Sequence, residues 1–165
     1  MAGQFKPLVI EAGQIRQLAA GDTLDAVVTA KEVVTIESAS GVTLNAGDAV
    51  YIDSSGKLNL ASGGATASKY PIGFVRGQTD GTTANIAAGS QVEVQTDGIF
   101  TISDWTAVLG SATLSPGTKY YLSSATAGNI TATAPSSSNH FIVPIGRAIS
   151  TTSMYIEVGE PIKLA

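Results

Sequence analysis

The chain has no cysteine among its 165 residues, which excludes a disulfide framework, a thiolate zinc site, an iron–sulfur centre and a cysteine nucleophile together. The fold must hold by packing alone. Charge is scarce as well, at 13% of residues, and aromatics make up only 6%. Nine Lys and Arg stand against 13 Asp and Glu, for a net charge of −4. The cations are never clustered, which excludes a nucleic-acid surface, because phosphate neutralisation needs several grouped cations. Long hydrophobic runs are missing: the longest are four or five residues, against the roughly 20 needed to span a bilayer. The first residues show no basic region followed by an apolar run, so neither a signal peptide nor a membrane partner is expected.

Small neutral side chains fill the space that charge leaves. Ala, Gly, Thr and Ser account for 76 of the 165 residues. Val, Ile and Leu are spread evenly through the chain, and 44% of residues are hydrophobic. That is enough to bury a core, and it excludes global disorder.

Helical periodicity is nearly absent, while short β-branched or alternating runs recur between Gly, Asp, Asn and Ser clusters, so the chain reads as all-β. Candidate strands are Val33–Glu37, Ala49–Asp53, Leu58–Ala61, Ile72–Arg76, Gln91–Gln95, Gly98–Ile102, Lys119–Leu122, Asn129–Thr133, Phe141–Ile149 and Met154–Val158. In Gln91–Gln95 polar and apolar residues alternate, which puts Val92 and Val94 on one face. Asp53-Ser54-Ser55-Gly56, Asp80-Gly81 and Asp97-Gly98 are turn signals with a glycine for positive φ. One short helix is expected, with Ser103 as N-cap, Asp104 to Leu109 as its body and Gly110 as its stop.

The chain also resembles itself. Leu44–Ile52 reads against Leu114–Leu122 at an offset of 70, and Pro71-Ile72-Gly73 against Pro144-Ile145-Gly146 at 73. Val92-Glu93-Val94 reads against Ile156-Glu157-Val158 at an offset of 64. The expected organisation is therefore an N-terminal arm and first strand (1–42), a β-unit (43–102), a connector with the short helix (103–111) and a second β-unit (112–165). The longer loop at about Gly77 to Ser90 is the first unit's excess. Pro-Ile-Gly is read structurally: Pro at a position needing no ladder donor, Ile packing inward, and Gly at a bulge or close backbone approach. Trp105, in the connector, is expected to pack the two units together, with an exposed binding anchor as the alternative. Leu8, Val9, Ile10, Ile15 and Leu18 of the arm are expected to dock on a partner or on the chain's own body.

The strings GDAVYIDSSGKLNLA and YPIGFV, repeated loosely as PGTKYYLSSATAGNIT and PIGRAIS, resemble a module of tailed-bacteriophage virion proteins. GQIRQLAAGDTLD (13–25) resembles a segment that joins the parts of phage fibre proteins. The resemblance implies a small β-barrel or β-tulip-like sandwich, forming a homotrimer. It implies a capsid decoration (cement) protein bound to the major capsid protein on the outer surface of the virion and made in the host cytoplasm. The alternative it leaves is a head or tail fibre module that recognises a host glycan or protein. Two copies of the unit depart from a minimal decoration protein.

No chemistry competes with that reading. The single histidine, His140, lies in a polar loop with no Gly-x-Ser-x-Gly elbow nearby, so it reads as a solvated imidazole rather than a catalytic base. Asp22, Asp25, Asp48, Asp53, Asp80 and Asp97 do not have calcium-loop spacing and read as turn residues. No phosphate loop and no singled-out carboxylate pair is present. A non-enzyme without cofactor or metal is expected. A carbohydrate-binding module is a further alternative, but Tyr70, Phe74, Phe100, Tyr120, Tyr121 and Tyr155 read as core and inter-unit packing rather than a sugar platform.

Overall fold

A computed structural model describes residues 8–11 and 14–17 as strands, and residues 32–65 and 70–165 in full. The architecture is all-β. In chain order the strands are β1 (Leu8–Glu11), β2 (Gln14–Gln17), β3 (Val33–Glu37), β4 (Ala49–Ile52), β5 (Leu58–Leu60), β6 (Gly73–Gln78), β7 (Gln91–Gln95) and β8 (Gly98–Thr101). A one-turn helix α1 (Thr106–Leu109) follows, and then β9 (Lys119–Leu122), β10 (Ile130–Thr131), β11 (Phe141–Ile142), β12 (Pro144–Ala148), β13 (Ser153–Ile156) and β14 (Ile162–Lys163).

Two five-stranded antiparallel sheets carry the fold, ordered β3-β7-β6-β4-β5 and β8-β13-β12-β9-β10. The second order repeats the first, strand for strand. Register agrees at residue level: Val50 pairs with Gly73 where Tyr120 pairs with Gly146, and Val75 pairs with Val94 where Ala148 pairs with Met154. The turns that launch the second strand of each sheet also match. Gly47 N–H donates to Val75 O at 2.8 Å and Gly117 N–H to Ala148 O at 2.8 Å. Both glycines sit at positive φ, +92° and +82°, where a Cβ is strained.

Three expectations are corrected by these pairings. Sheet membership changes between Gln95 and Gly98 rather than at Ile102, because β8 pairs with β13 and β3, expected to lie outside the repeat, pairs with β7. Asp97-Gly98 is thus a switch between sheets, with Asp97 Oδ1 accepting the Gly98 N–H at 2.6 Å. The last strands correspond at an offset of 60, Val94 with Met154, rather than 64, and Val158 lies past the end of β13. The helix begins later than its sequence signal. Trp105 holds the N-cap position, and Asp104 Oδ1, not Ser103, accepts the Thr106 N–H at 2.8 Å. Gly110 ends the helix at φ +75° as expected.

Each sheet has an apolar face. Inside the first lie Leu44, Val50, Leu58, Val75, Ile86, Val92 and Val94, all at 0% exposure. The sheet curls on itself, with Ser38 bridging Leu58 and the Ala39 N–H donating to Leu58 O at 2.9 Å. The 79–90 loop covers this interior through Ile86, which bridges Leu44. The second cluster is not confined to one sheet. Ala49, Ala61 and Phe74 of the first half pack with Phe100, Trp105, Tyr120, Leu122, Ile145 and Met154 of the second. The halves are therefore two similar sheets that share the second cluster, while the first sheet also encloses a core of its own. Backbone hydrogen bonds seal the seam: Gly128 accepts from Ala49 (2.8 Å) and donates to Ala61 (2.7 Å), and Gly63 donates to Ser123 O (2.9 Å).

Candidate functional site: the arm, the seam and the surface

β1 and β2 form a separate two-stranded ribbon in which Ile10 pairs with Ile15 and Val9 with Arg16. Of the arm residues expected to bind, Leu8, Val9, Ile10 and Ile15 thus fall on this ribbon, whereas Leu18 lies outside the described residues. The arm is a hairpin at this point rather than a simple extended chain.

Trp105 is fully buried. Its ring meets Phe74 of the first sheet edge-on at 6.4 Å and Phe100 of the second at 5.8 Å, and its Nε1 donates to Thr152 O at 3.1 Å. The indole therefore touches both halves with its one polar atom satisfied. Phe74, Phe100 and Tyr120 are buried, but Tyr70 and Tyr155 are not: they are 66% and 46% exposed. Both were expected in packing. Tyr70 precedes β6, and Tyr155 alternates with the inward Met154 and Ile156 on β13, so strand period places it outside.

Clefts open on the surface of the described residues. One, of about 450 Å³, lies beside the Ser38–Leu58 closure and is lined by Glu37, Ser38, Asp53, Lys57 and Asn59 among others. Its polar groups already answer one another: Lys57 pairs with Glu37, while Asp53 accepts from the Ser55 and Lys57 N–H groups and from Asn59 Nδ2. Those backbone donors hold the Asp53 carboxyl below the usual carboxylate range. The second cleft, about 390 Å³, lies along the seam between Asn45, Arg76, Thr83, Thr101 and Asp104. Arg76 there is paired with Glu93 at 3.2 Å. Neither cleft gathers a nucleophile, a base and an oxyanion donor, and among the described residues no three His, Cys, Asp or Glu side chains converge as for a metal ion.

Two polar residues depart from their turn or loop reading. Asp48 is only 6% exposed; burial pushes its carboxyl up to about 6, although Oδ2 accepts the Asn45 N–H at 2.7 Å. Desolvation outweighs the hydrogen bond here because no cation stands beside it among the described residues. His140 is half-buried rather than solvated. The C-terminal segment pairs with it, as Leu164 N–H donates to His140 O at 2.9 Å. Its Nδ1 is buried without a hydrogen-bond partner.

Among the described residues no helix is long and apolar enough to cross a membrane. No protein-family model matches the chain, and no curated protein sequence matches it.

Proposed function

We propose that this chain is a non-enzymatic structural protein of a tailed-bacteriophage virion. In this reading it is a decoration protein that binds the major capsid protein on the outside of the head and fastens neighbouring subunits. Copies associate as a homotrimer, so that several weak contacts act together. The observation that supports this reading is the placement of the strings that resemble virion modules. GDAVYIDSSGKLNLA spans the β4–β5 hairpin and PGTKYYLSSATAGNIT the β9–β10 hairpin, at register-equivalent places in two sheets that share a core cluster.

A body braced in this way loses little conformational freedom on binding, which favours a clamp. The arm, whose strands β1 and β2 pair with each other, supplies a second contact in this reading. The test mixes the protein with capsids that lack it, sediments them, and measures the temperature at which the shells open. Co-sedimentation and a raised opening temperature are expected. Protein left in the supernatant that instead binds host cells or glycans would replace this reading with the fibre module.

A further inference from the structure

Four cross-strand partners, Ala49, Phe74, Gln95 and Val33, run in a row across the first sheet. Register puts Lys119, Arg147, Tyr155 and Ile99 at the same four places in the second. The two rows differ in burial at three of their four places, while Val33, like Ile99, is half-buried. Ala49, Phe74 and Gln95 are buried at 1% exposure or less, two of them in the core shared with the second sheet. Arg147 and Tyr155 are exposed, and Lys119 and Ile99 are half-buried. The chain thus covers this face once and leaves its counterpart open.

The open row is also electrostatically incomplete. Lys119 and Arg147 are direct cross-strand neighbours, and like charges in that position repel unless a counter-charge sits over them. At the first sheet Lys57 and Arg76 each have a carboxylate, from Glu37 and Glu93. Among the described residues neither Lys119 nor Arg147 has one within ion-pair distance, Glu157 two residues beyond Tyr155 included. The Arg147 guanidinium is held in place by Gly117 O at 2.7 Å.

The matching charge lies in the same chain. Residues 32–97 hold seven acids against three Lys and Arg, so the whole net charge of −4 falls there, while residues 98–165 hold three of each. We infer that the Lys119–Arg147–Tyr155–Ile99 row is where a second copy of this chain docks, head to tail, against the acidic half at residues 32–97, where Glu32, Asp80 and Asp97 are exposed and outside the ion pairs. Different faces meet in such a contact, so copies join in a directional series that closes into a ring when the rotation allows. A nucleic acid is the poorer occupant, because two cations neutralise too few phosphates. The inference rests on the association of copies proposed above and adds the faces that make it.

The test is sedimentation velocity of the full chain over a range of concentrations, at about 50 mM and about 500 mM salt, where screening lengths differ about threefold. Wild-type protein should associate at low salt and weaken at high salt. K119E/R147E should lose at least about tenfold in association constant while its circular dichroism is unchanged. Should that variant misfold, R147A, which changes one exposed side chain, should still weaken association. Association of equal strength in the folded variants would overturn the assigned face and leave the trimer standing. A wild-type monomer at every concentration and both salts would overturn the contact altogether. Capsid co-sedimentation is scored separately, so the decoration reading can fail or survive independently.

Discussion

Phe74 stacks on Phe100 across the seam between the two sheets, ring centres 5.3 Å apart and planes inclined by 26°. One ring belongs to β6 and the other to β8, 26 residues apart in sequence, with Trp105 closing the trio edge-on. Such a contact makes the stability of each sheet depend on the other, whatever the similarity of their plans.

The trio should therefore behave as one unit. Phe74→Ala removes a ring buried to 1% exposure and should cost about 3–5 kcal/mol. Urea unfolding should remain a single transition shifted to lower denaturant, with Trp105 fluorescence and circular dichroism moving together. Two separated transitions would show that the sheets unfold independently.

Gly73 and Gly146 should be intolerant of any side chain. A Cβ on Gly73 would meet the Gln95 carbonyl, and one on Gly146 the Tyr155 carbonyl, each closer than 3.0 Å. Backbone on an adjacent strand cannot step aside cheaply. Each Gly→Ala change should lower stability by about 2 kcal/mol or more, in the range of mutations that strain the backbone. Thermal unfolding of the two single variants should show losses of similar size, because the two sites are register equivalents.

Stability should fall as pH rises from about 4 to about 6. Asp48 titrates near 6 in the folded chain, against 3.8 for the group in its ordinary state, so the folded form holds the proton more tightly and ionisation there is a penalty. The penalty is absent below that window and complete above it. Asp48→Asn should remove this dependence and stabilise the protein at pH 7 by about 1–3 kcal/mol, the upper end corresponding to about two pKa units. Its amide oxygen can still accept from Asn45. Asp53 and Asp80 are shifted the other way by turn N–H donors, and Asp104 by the Thr106 side chain and then its N–H, so their contribution is lost only below about pH 4. Denaturant midpoints at pH 4, 5, 6 and 7 would check the sign.

Removing residues 1–25 should leave the body folded, because β1 pairs with β2 rather than with either five-stranded sheet. Its melting temperature should change little, while binding to capsids should be lost if Leu8, Val9, Ile10, Ile15 and Leu18 make the attachment. Burial of four or five aliphatic side chains is worth roughly 1.5–3 kcal/mol each before ordering costs. Full-strength co-sedimentation of the truncated chain would assign attachment to the sheets instead.

The local parts of the fold were readable from the residues themselves. Asp53-Ser54-Ser55-Gly56 contains both the carboxylate that gathers the turn N–H groups and the glycine that takes φ +75°. Val92 and Val94 alternate with polar neighbours and face inward at 0% exposure. The glycine of Pro-Ile-Gly is required by a close carbonyl in both sheets. Each depends on neighbours a few residues away or on strand period, and those interactions are encoded locally.

Tertiary structure alone decided which sheet a strand joins and which face is covered. β8 follows β7 after a two-residue switch yet pairs with β13, because hairpin pairing competes with burial of Phe100 against Phe74 and Trp105, a choice settled by long-range packing. Gln95 reads as the polar member of an alternating strand but is fully buried, since its face is the one on which the second sheet sits. Tyr155, at the equivalent position, stays exposed for want of such a cover. Sequence determines the pattern of faces along each strand; what lies over a face depends on how distant segments meet, and no single strand carries that information.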